Sequence, residues 1–314
     1  MLTPGEMTAR TGRAVAAARA AGTALGVRVD EPRVLYDVFS VIVHLAPSPV
    51  VVRVPTVLPP SRIGDPEAQA AQQRRELAVT GWLADRGHPV VPPSALVPPE
   101  PVLREGFSMT FWQLVDVLDT PPDLETRVAQ TTRLHAALRD YPTSSGELSF
   151  WAPYGTYIPE GLIALEDMPD VLDRADLQRA QREWSIIAPV LTSQSAFEAA
   201  FPGVPIQPIH GDAPYHNMIT TPAGELWSDF ELVTLGAVES DLAMVGRDAL
   251  RAYDDAARNL GVRTLNPDVL RITDAAANLA VVSCLAMAPQ LPMLVGGVAP
   301  ALDAWRATPE LTSL

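Results

Sequence analysis

Residues 209–219, IHGDAPYHNMI, followed by residues 226–231, LWSDFE, decide how this chain is read. Asp212 is followed five residues later by Asn217, and twelve residues after that comes Asp229. The order predicts a strand end, a catalytic loop, a short hairpin and a metal-binding turn. These are the side chains a magnesium-dependent phosphoryl transfer needs. One carboxylate receives or orients the proton of an attacking hydroxyl, while a neutral amide and a second carboxylate hold the metal ions that neutralise the phosphates. An isolated His-Gly-Asp is usually a turn or a cap; the joint spacing carries the reading.

Composition narrows the alternatives. The 314 residues suffice for one large domain or two lobes with sizeable cores. A hydrophobic share of 47% against 19% charged residues describes a soluble globular chain rather than a disordered one. The net charge of -14 argues against a nucleic-acid partner, which needs a basic footprint, and suits a small or cationic one. All 23 basic residues are arginine. Without lysine there is no Walker A loop and no Schiff base, so any cation on a nucleotide phosphate must be Arg or a metal. The single cysteine, Cys284, sits in the apolar run LAVVSCLAMA and reads as a buried structural thiol. No secretory signal is visible, which makes the cytoplasm the default location. Pro289 and Pro292 interrupt the apolar stretch from Leu279 to Val298. A membrane span needs about 20 unbroken apolar residues, so the expectation is a buried helix followed by a turn, with no membrane partner.

Along the chain, Thr3-Pro4-Gly5-Glu6 predicts a capping box opening a helix to about Gly22. Two β runs follow, Val34–Leu45 and Val50–Val54, separated by the turn Ala46-Pro47-Ser48-Pro49. Asp65-Pro66 opens a helix to about Arg86, with Leu77, Trp82 and Leu83 available for the core, and Gly87 ends it. A Pro-rich connector, His88–Pro101, leads to an extended segment, Ser108–Val117. From Leu124 the chain turns mainly helical, with helical spacing at Val128, Leu134 and Leu138 and again from Leu177 to Leu191.

These marks together resemble the aminoglycoside phosphotransferase and choline kinase family, small-molecule kinases with a protein-kinase-like fold. The signature H-G-D-x-x-x-x-N stands as His210 to Asn217, and the metal-binding turn as Asp229-Phe230-Glu231. Gly236 to Ala243 resembles the segment after that turn. Arg75-Glu76 with GWLADRGHPVVPP resembles the helix and connector of the family's small lobe, and LHAALRD at Leu134 a helix of the larger one. The resemblance implies an α+β, two-lobed fold: residues 1–112 as a nucleotide-covering lobe with an antiparallel sheet plus helix, and residues 113–314 as a mainly helical catalytic and substrate-binding lobe. It implies transfer of the γ-phosphoryl of ATP or GTP to a small-molecule hydroxyl, with Mg²⁺. Asp212 and His210 are the catalytic candidates, His210 more as a support of the loop than as an acid or base. Asn217 and Asp229 are the metal candidates. Glu231 would touch metal or substrate or back them up, and Asp241 would brace the loop from below. Arg53 and Glu76 are expected at the nucleotide phosphates. Phe111, Trp112, Gln113 and Leu114 lie in a hinge expected near Thr110–Val117, where backbone groups meet the base.

Two departures matter. The family's small lobe carries a Lys on its third strand, and the matching residue here is Arg53, in VVVRV. Arg keeps the charge and can pair with Glu76, but it is a planar fork rather than an ammonium point charge; the alternative is a surface strand residue. The nucleotide-covering turn, around Phe39-Ser40, has no glycine. A catalytically weak or inactive nucleotide- or metabolite-binding member is therefore the second reading. A protein kinase is disfavoured, since H-R-D and A-P-E are missing. From Glu147 to Asp176 the chain holds seven acids and one base, with Trp151, Tyr154 and Tyr157 nearby. This is either a solvated acidic loop ahead of a helix or a face for a cationic acceptor. An aminoglycoside-, amino-alcohol- or sugar-like acceptor fits.

Overall fold

Helix α1 (Pro4–Ala24) begins where its capping residues put it. The Thr3 hydroxyl accepts from the Glu6 amide at 3.3 Å, and the Glu6 carboxylate accepts from the Thr3 amide at 2.8 Å. Its inner face is a stripe of Ala14, Ala17, Ala18 and Ala21, all buried. Small side chains let the helix lie close to a sheet; a Cβ at Gly22 would stand 2.4 Å from the Leu45 side chain.

That sheet is antiparallel throughout, in the order β1-β2-β3-β5-β4. Its strands are β1 (Val29–Asp37), β2 (Ser40–Pro47), β3 (Val50–Pro55), β4 (Val102–Arg104) and β5 (Phe107–Gln113). The apolar run expected from Val34 to Leu45 is in fact two strands folded at residues 38–39. On β2, Val41, Val43 and Leu45 are buried, while Val34, Leu35 and Tyr36 on β1 are exposed. Neither Gly nor Pro marks the turn, so composition hid it. Helix α2 (Pro66–Asp85) is capped by Asp65 and followed by Gly87 at φ 75°. Leu77 and Leu83 are buried; Trp82 is half-buried beneath the Arg86 guanidinium at 4.1 Å. Residues Met1–Asp116 and Met287–Leu294 form one compact unit around this sheet.

The second unit comprises Val117–Ala286 and Val295–Leu314. It carries helices α3 (Leu124–Arg139), α4 (Ala152–Leu165), α5 (Arg174–Leu191) and α6 (Gln194–Ala200). Four short strands follow, β6 (Gln207–Ile209), β7 (Met218–Thr221), β8 (Gly224–Trp227) and β9 (Thr234–Gly236). Helices α7 (Arg247–Leu260), α8 (Pro267–Cys284) and α9 (Leu294–Ala307) end the chain. Ile158, Leu162 and Leu165 of α4, Ile187 and Leu191 of α5, and Ile272, Ala276, Leu279 and Val282 of α8 build its core. The computed structural model describes residues 1–143 and 146–314.

Helix α4 corrects the reading of residues 147–176 as a loop. Pro153, Gly155, Pro159 and Gly161 mask it in the sequence. One of these glycines is a packing residue: a Cβ at Gly161 would lie 2.5 Å from the Ser283 carbonyl oxygen of α8. Asp173 caps α5 and Asp176 occupies its first turn, where negative charge is favourable. The stretch Pro267–Met287 is long and apolar enough to cross a membrane, but half of its most apolar window is buried inside the unit. Cys284 is half-buried, and burial pushes its thiol up to about 11.

Candidate active site

Strand β6 pairs antiparallel with β9, and the chain leaves it at His210. Here a single buried carboxylate takes over. Asp241, in the 3-10 turn Val238–Leu242, accepts from the His210 amide at 2.9 Å through Oδ2 and from the Gly211 amide at 2.8 Å through Oδ1. This is the brace expected of Asp241. Gly211 sits at φ 87°, and a Cβ there would fall 2.0 Å from the Leu232 carbonyl oxygen, so no other residue fits.

The hairpin β7–β8 then brings the rest of the motif back. Its register pairs Met218 with Trp227. One step outward, the Asn217 carbonyl accepts from both the amide and the hydroxyl of Ser228, each at 2.9 Å. Asp229 follows immediately, at φ 62°. Asn217 Nδ2 donates to the Asp212 carbonyl at 2.7 Å and to its carboxylate at 3.3 Å, which leaves the amide oxygen Oδ1 as the acceptor end of that side chain. The spacing of five and twelve residues is thus a loop plus one two-stranded hairpin.

Asp212 is solvent-accessible. Its pKa is raised, first by the surrounding protein and further by the charges of Asp229 and Asp241; His210 and the Asn217 hydrogen bond oppose the shift. Two carboxylates and an amide oxygen are residue types that could hold a hard divalent cation. Among the described residues no group of three or more His, Cys, Asp or Glu side chains is placed to hold a metal. The set described here contains two acids and an amide.

His210 is fully buried and its Nε2 donates to the Ser228 carbonyl at 2.9 Å. It ties the loop to the strand end before Asp229, and its ring packs 4.6 Å from Phe230. This is a support geometry. Tyr215 is buried, with its phenol pushed up to about 12 by burial and then by Asp212. Arg127 of α3 donates to the Tyr215 carbonyl at 2.7 Å. Burial and the Arg127 charge push the exposed His216 ring down. Glu231 lies in the 3-10 turn after Asp229. On α4, the Tyr154 phenol is raised by burial, then by Asp241 and more weakly by Asp212, and its ring packs against the core. Trp151 is buried in the core, which removes it from any substrate face.

Two residues escaped the sequence reading. His135 on α3 holds Asp241 Oδ2 through Nε2 at 3.0 Å, and its Nδ1 lies 2.8 Å from the Tyr253 hydroxyl of α7. All three side chains are buried. With a neutral ring, Tyr253 donates to His135 and His135 to Asp241, so the brace is itself braced. The available signal was a histidine between Leu134 and Leu138 on an apolar helix face.

In the sheet unit, Arg53 is paired with Glu76 of α2, and the two residues are 6% and 1% exposed. The alternative of a surface strand residue is overturned. Of the hinge residues, Phe111 and Trp112 are buried and Gln113 is exposed. The Gln113 amide donates to the Pro92 carbonyl at 3.0 Å and the Leu114 amide to that of Pro49 at 3.1 Å, while the Phe111 carbonyl accepts from Ser94 at 3.0 Å. Those backbone groups are already engaged within the unit.

A sequence profile described as the phosphotransferase enzyme family matches residues 40–272. Among solved structures, the chain is similar to APH(2″)-IIia in its GDP and kanamycin complex: TM-score 0.61, 14% identity, covering 92% of this chain and 97% of the other. A choline/ethanolamine kinase family protein from Mesorhizobium loti gives a TM-score of 0.55 at 18% identity over 96% of each chain. A putative fructosamine-3-kinase from Haemophilus somnus gives 0.56 at 10% identity, covering 92% and 96%. At these identities the likeness is one of fold. No curated protein is a significant sequence match.

Proposed function

The chain belongs to the phosphotransferase enzyme family, and from that premise we propose that it moves the γ-phosphoryl group of ATP or GTP to a hydroxyl of a small molecule. The convergence of Asp212, Asn217 and Asp229 through one loop and one hairpin carries this reading. Asp212 is the base. Its raised proton affinity suits a group that accepts the hydroxyl proton late, when the phosphoryl group has largely left its donor. Asn217 and Asp229 would hold Mg²⁺, which when bound supplies the charge that neutralises the transferring phosphates. His210 keeps the loop against the strand end that leads to Asp229, and Asp241 fixes the loop backbone.

Arg53, held by Glu76, takes the place of the phosphate-positioning cation in a chain without lysine. The base of the nucleotide is read by hinge backbone near Thr110–Val117. Because the amides of Gln113 and Leu114 are engaged elsewhere, the remaining hinge groups do that reading. Relatives of the same fold solved with GDP or ADP support a nucleotide donor. For the acceptor, aminoglycoside-, amino-alcohol- and sugar-like compounds are the panel to test.

Thermal shift with nucleotide in the presence and absence of Mg²⁺ tests the first half, with a Mg²⁺-dependent rise expected. Turnover on the acceptor panel, abolished by Asp212→Ala, tests the second. One feature favours the other reading, a binding module with little turnover: the buried cation paired with Glu76 through Nη2 is a planar guanidinium, bulkier than the ammonium expected there. Nucleotide binding without turnover on any acceptor would select that reading.

A further inference from the structure

The glycine-free turn between β1 and β2 is held by a segment from the far end of the chain. Arg10 of α1 donates through Nη2 to Asp37 Oδ1 at 3.4 Å, and the neighbouring Thr11 hydroxyl donates to Asp37 Oδ2 at 2.5 Å. Asp37 is the last residue of β1. Arg10 is itself buried and donates through Nη1 to the Gln290 carbonyl at 3.0 Å. Gln290 belongs to the short segment Met287–Leu294 that packs within the sheet unit. Its side-chain amide closes a two-bond clamp on Leu58, accepting from the Leu58 amide at 3.1 Å and donating to the Leu58 carbonyl at 2.7 Å. The Leu2 amide adds a bond of 2.8 Å to the Pro289 carbonyl. On the other side of the turn, the Phe39 carbonyl accepts from the amides of Thr56 and Val57, both at 3.0 Å.

We propose that Arg10, Thr11 and Gln290 form a strut that sets the position of the Asp37–Ser40 turn over the nucleotide, with Asp37 as its contact point. The inference rests on the nucleotide-dependent function proposed above. A cover loop rich in glycine can adapt its backbone to the phosphates after binding. This turn has no glycine, so its placement must exist beforehand, and fixed placement lowers the ordering cost of binding. Side chains on one side and backbone on the other supply the fixation. A carboxylate held by a guanidinium and a hydroxyl at the strand end, and a carbonyl held by two amides across the turn, leave little freedom for the residues between them. These are positioning residues; none of them need touch the nucleotide.

The test uses the full chain with Asp37→Ala, Thr11→Val and Arg10→Met. The Asp37 side chain is 30% exposed, so its removal spares the core. Loss of a part-exposed ion pair plus one hydrogen bond predicts about a fivefold rise in the nucleotide KM for Asp37→Ala, less for Thr11→Val. The acceptor KM stays as in the wild type. Amide hydrogen exchange across residues 37–40 speeds up in the Asp37 variant without nucleotide present. Arg10→Met and Asp37→Ala combined should cost less than the sum of the two singly. If wild-type protein binds nucleotide and Asp37→Ala leaves both nucleotide KM and exchange at the turn unchanged, the strut is refuted alone. If wild-type protein binds no nucleotide, the functional reading fails, and the strut's role in binding falls with it.

Discussion

The loop that carries Asp212 and the turn that begins at Asp37 are held by different means. In the helical unit, one buried carboxylate grips the main chain: Asp241 takes the amides of two consecutive residues, His210 and Gly211. In the sheet unit, side chains from a distant helix grip a side chain, Asp37, and a loop amide group grips Leu58. The difference has consequences for tolerance. A loop held by its backbone can change most of its side chains and keep its shape, but it cannot lose its brace. A turn held through side chains can be loosened stepwise. The same contrast separates the two buried charged groups. Asp241 is satisfied by backbone amides and His135, whereas Arg53 and Glu76 pair side chain to side chain across a strand and a helix.

Substitutions can break or sharpen this comparison. The largest effect is expected at Asp212, where replacement by Ala should lower kcat by about 10²–10⁴-fold, the scale of a lost general base, with the fold intact by circular dichroism. Next comes Asp241→Ala. It strands two buried amides and His135, and should cost about 3–5 kcal/mol in denaturant unfolding as well as turnover. Arg53→Ala should cost a similar 3–5 kcal/mol by removing the cation beside the buried Glu76 carboxylate, while Arg53→Lys should cost clearly less in stability. If Arg53→Ala proves neutral in urea melts, the two buried groups do not differ as described. Gly211→Ala should lose about 2–3 kcal/mol, because a left-handed backbone and a steric clash with Leu232 combine.

The smallest effect concerns pH. Asp212 has a folded-state pKa raised above the unfolded carboxyl value of about 3.9. Its contribution to stability is therefore fully present below the unfolded value and is lost as pH rises through the folded one. Asp212→Asn should match the wild type in Tm at about pH 4 and become the more stable of the two toward about pH 7. Melts of both proteins across that range check it. A gap that widens toward acid would reverse the sign and place Asp212 in a stabilising ion pair instead.

The loop and hairpin of the helical unit were legible because they are local. Asp212 to Asn217 is one loop, and Asn217 to Asp229 is one hairpin whose register follows from its length. The caps at Thr3, Asp65 and Asp173 are equally local and stand where their residue types put them. Helix α4 was hidden because its prolines and glycines read as breakers; Gly161 is there for contact with α8, a reason that lies in another element. The residues of the β1–β2 turn carry no turn signature, and only the family resemblance pointed to a turn at Phe39-Ser40. The His135–Tyr253 support of Asp241 was hidden because the residues stand 106 and 118 positions from their partners.

By itself, the sequence determined which side chains could do the chemistry, since residue type and short spacing fix what a loop and its hairpin can present. It also determined that no lysine shares that work. Only the tertiary structure decided how those groups are held. Asp241 under the loop, Glu76 on Arg53 and Gln290 behind Arg10 are brought in by packing of elements far apart in the chain. Such pairings depend on the shape of two buried surfaces, and no short stretch of sequence contains both.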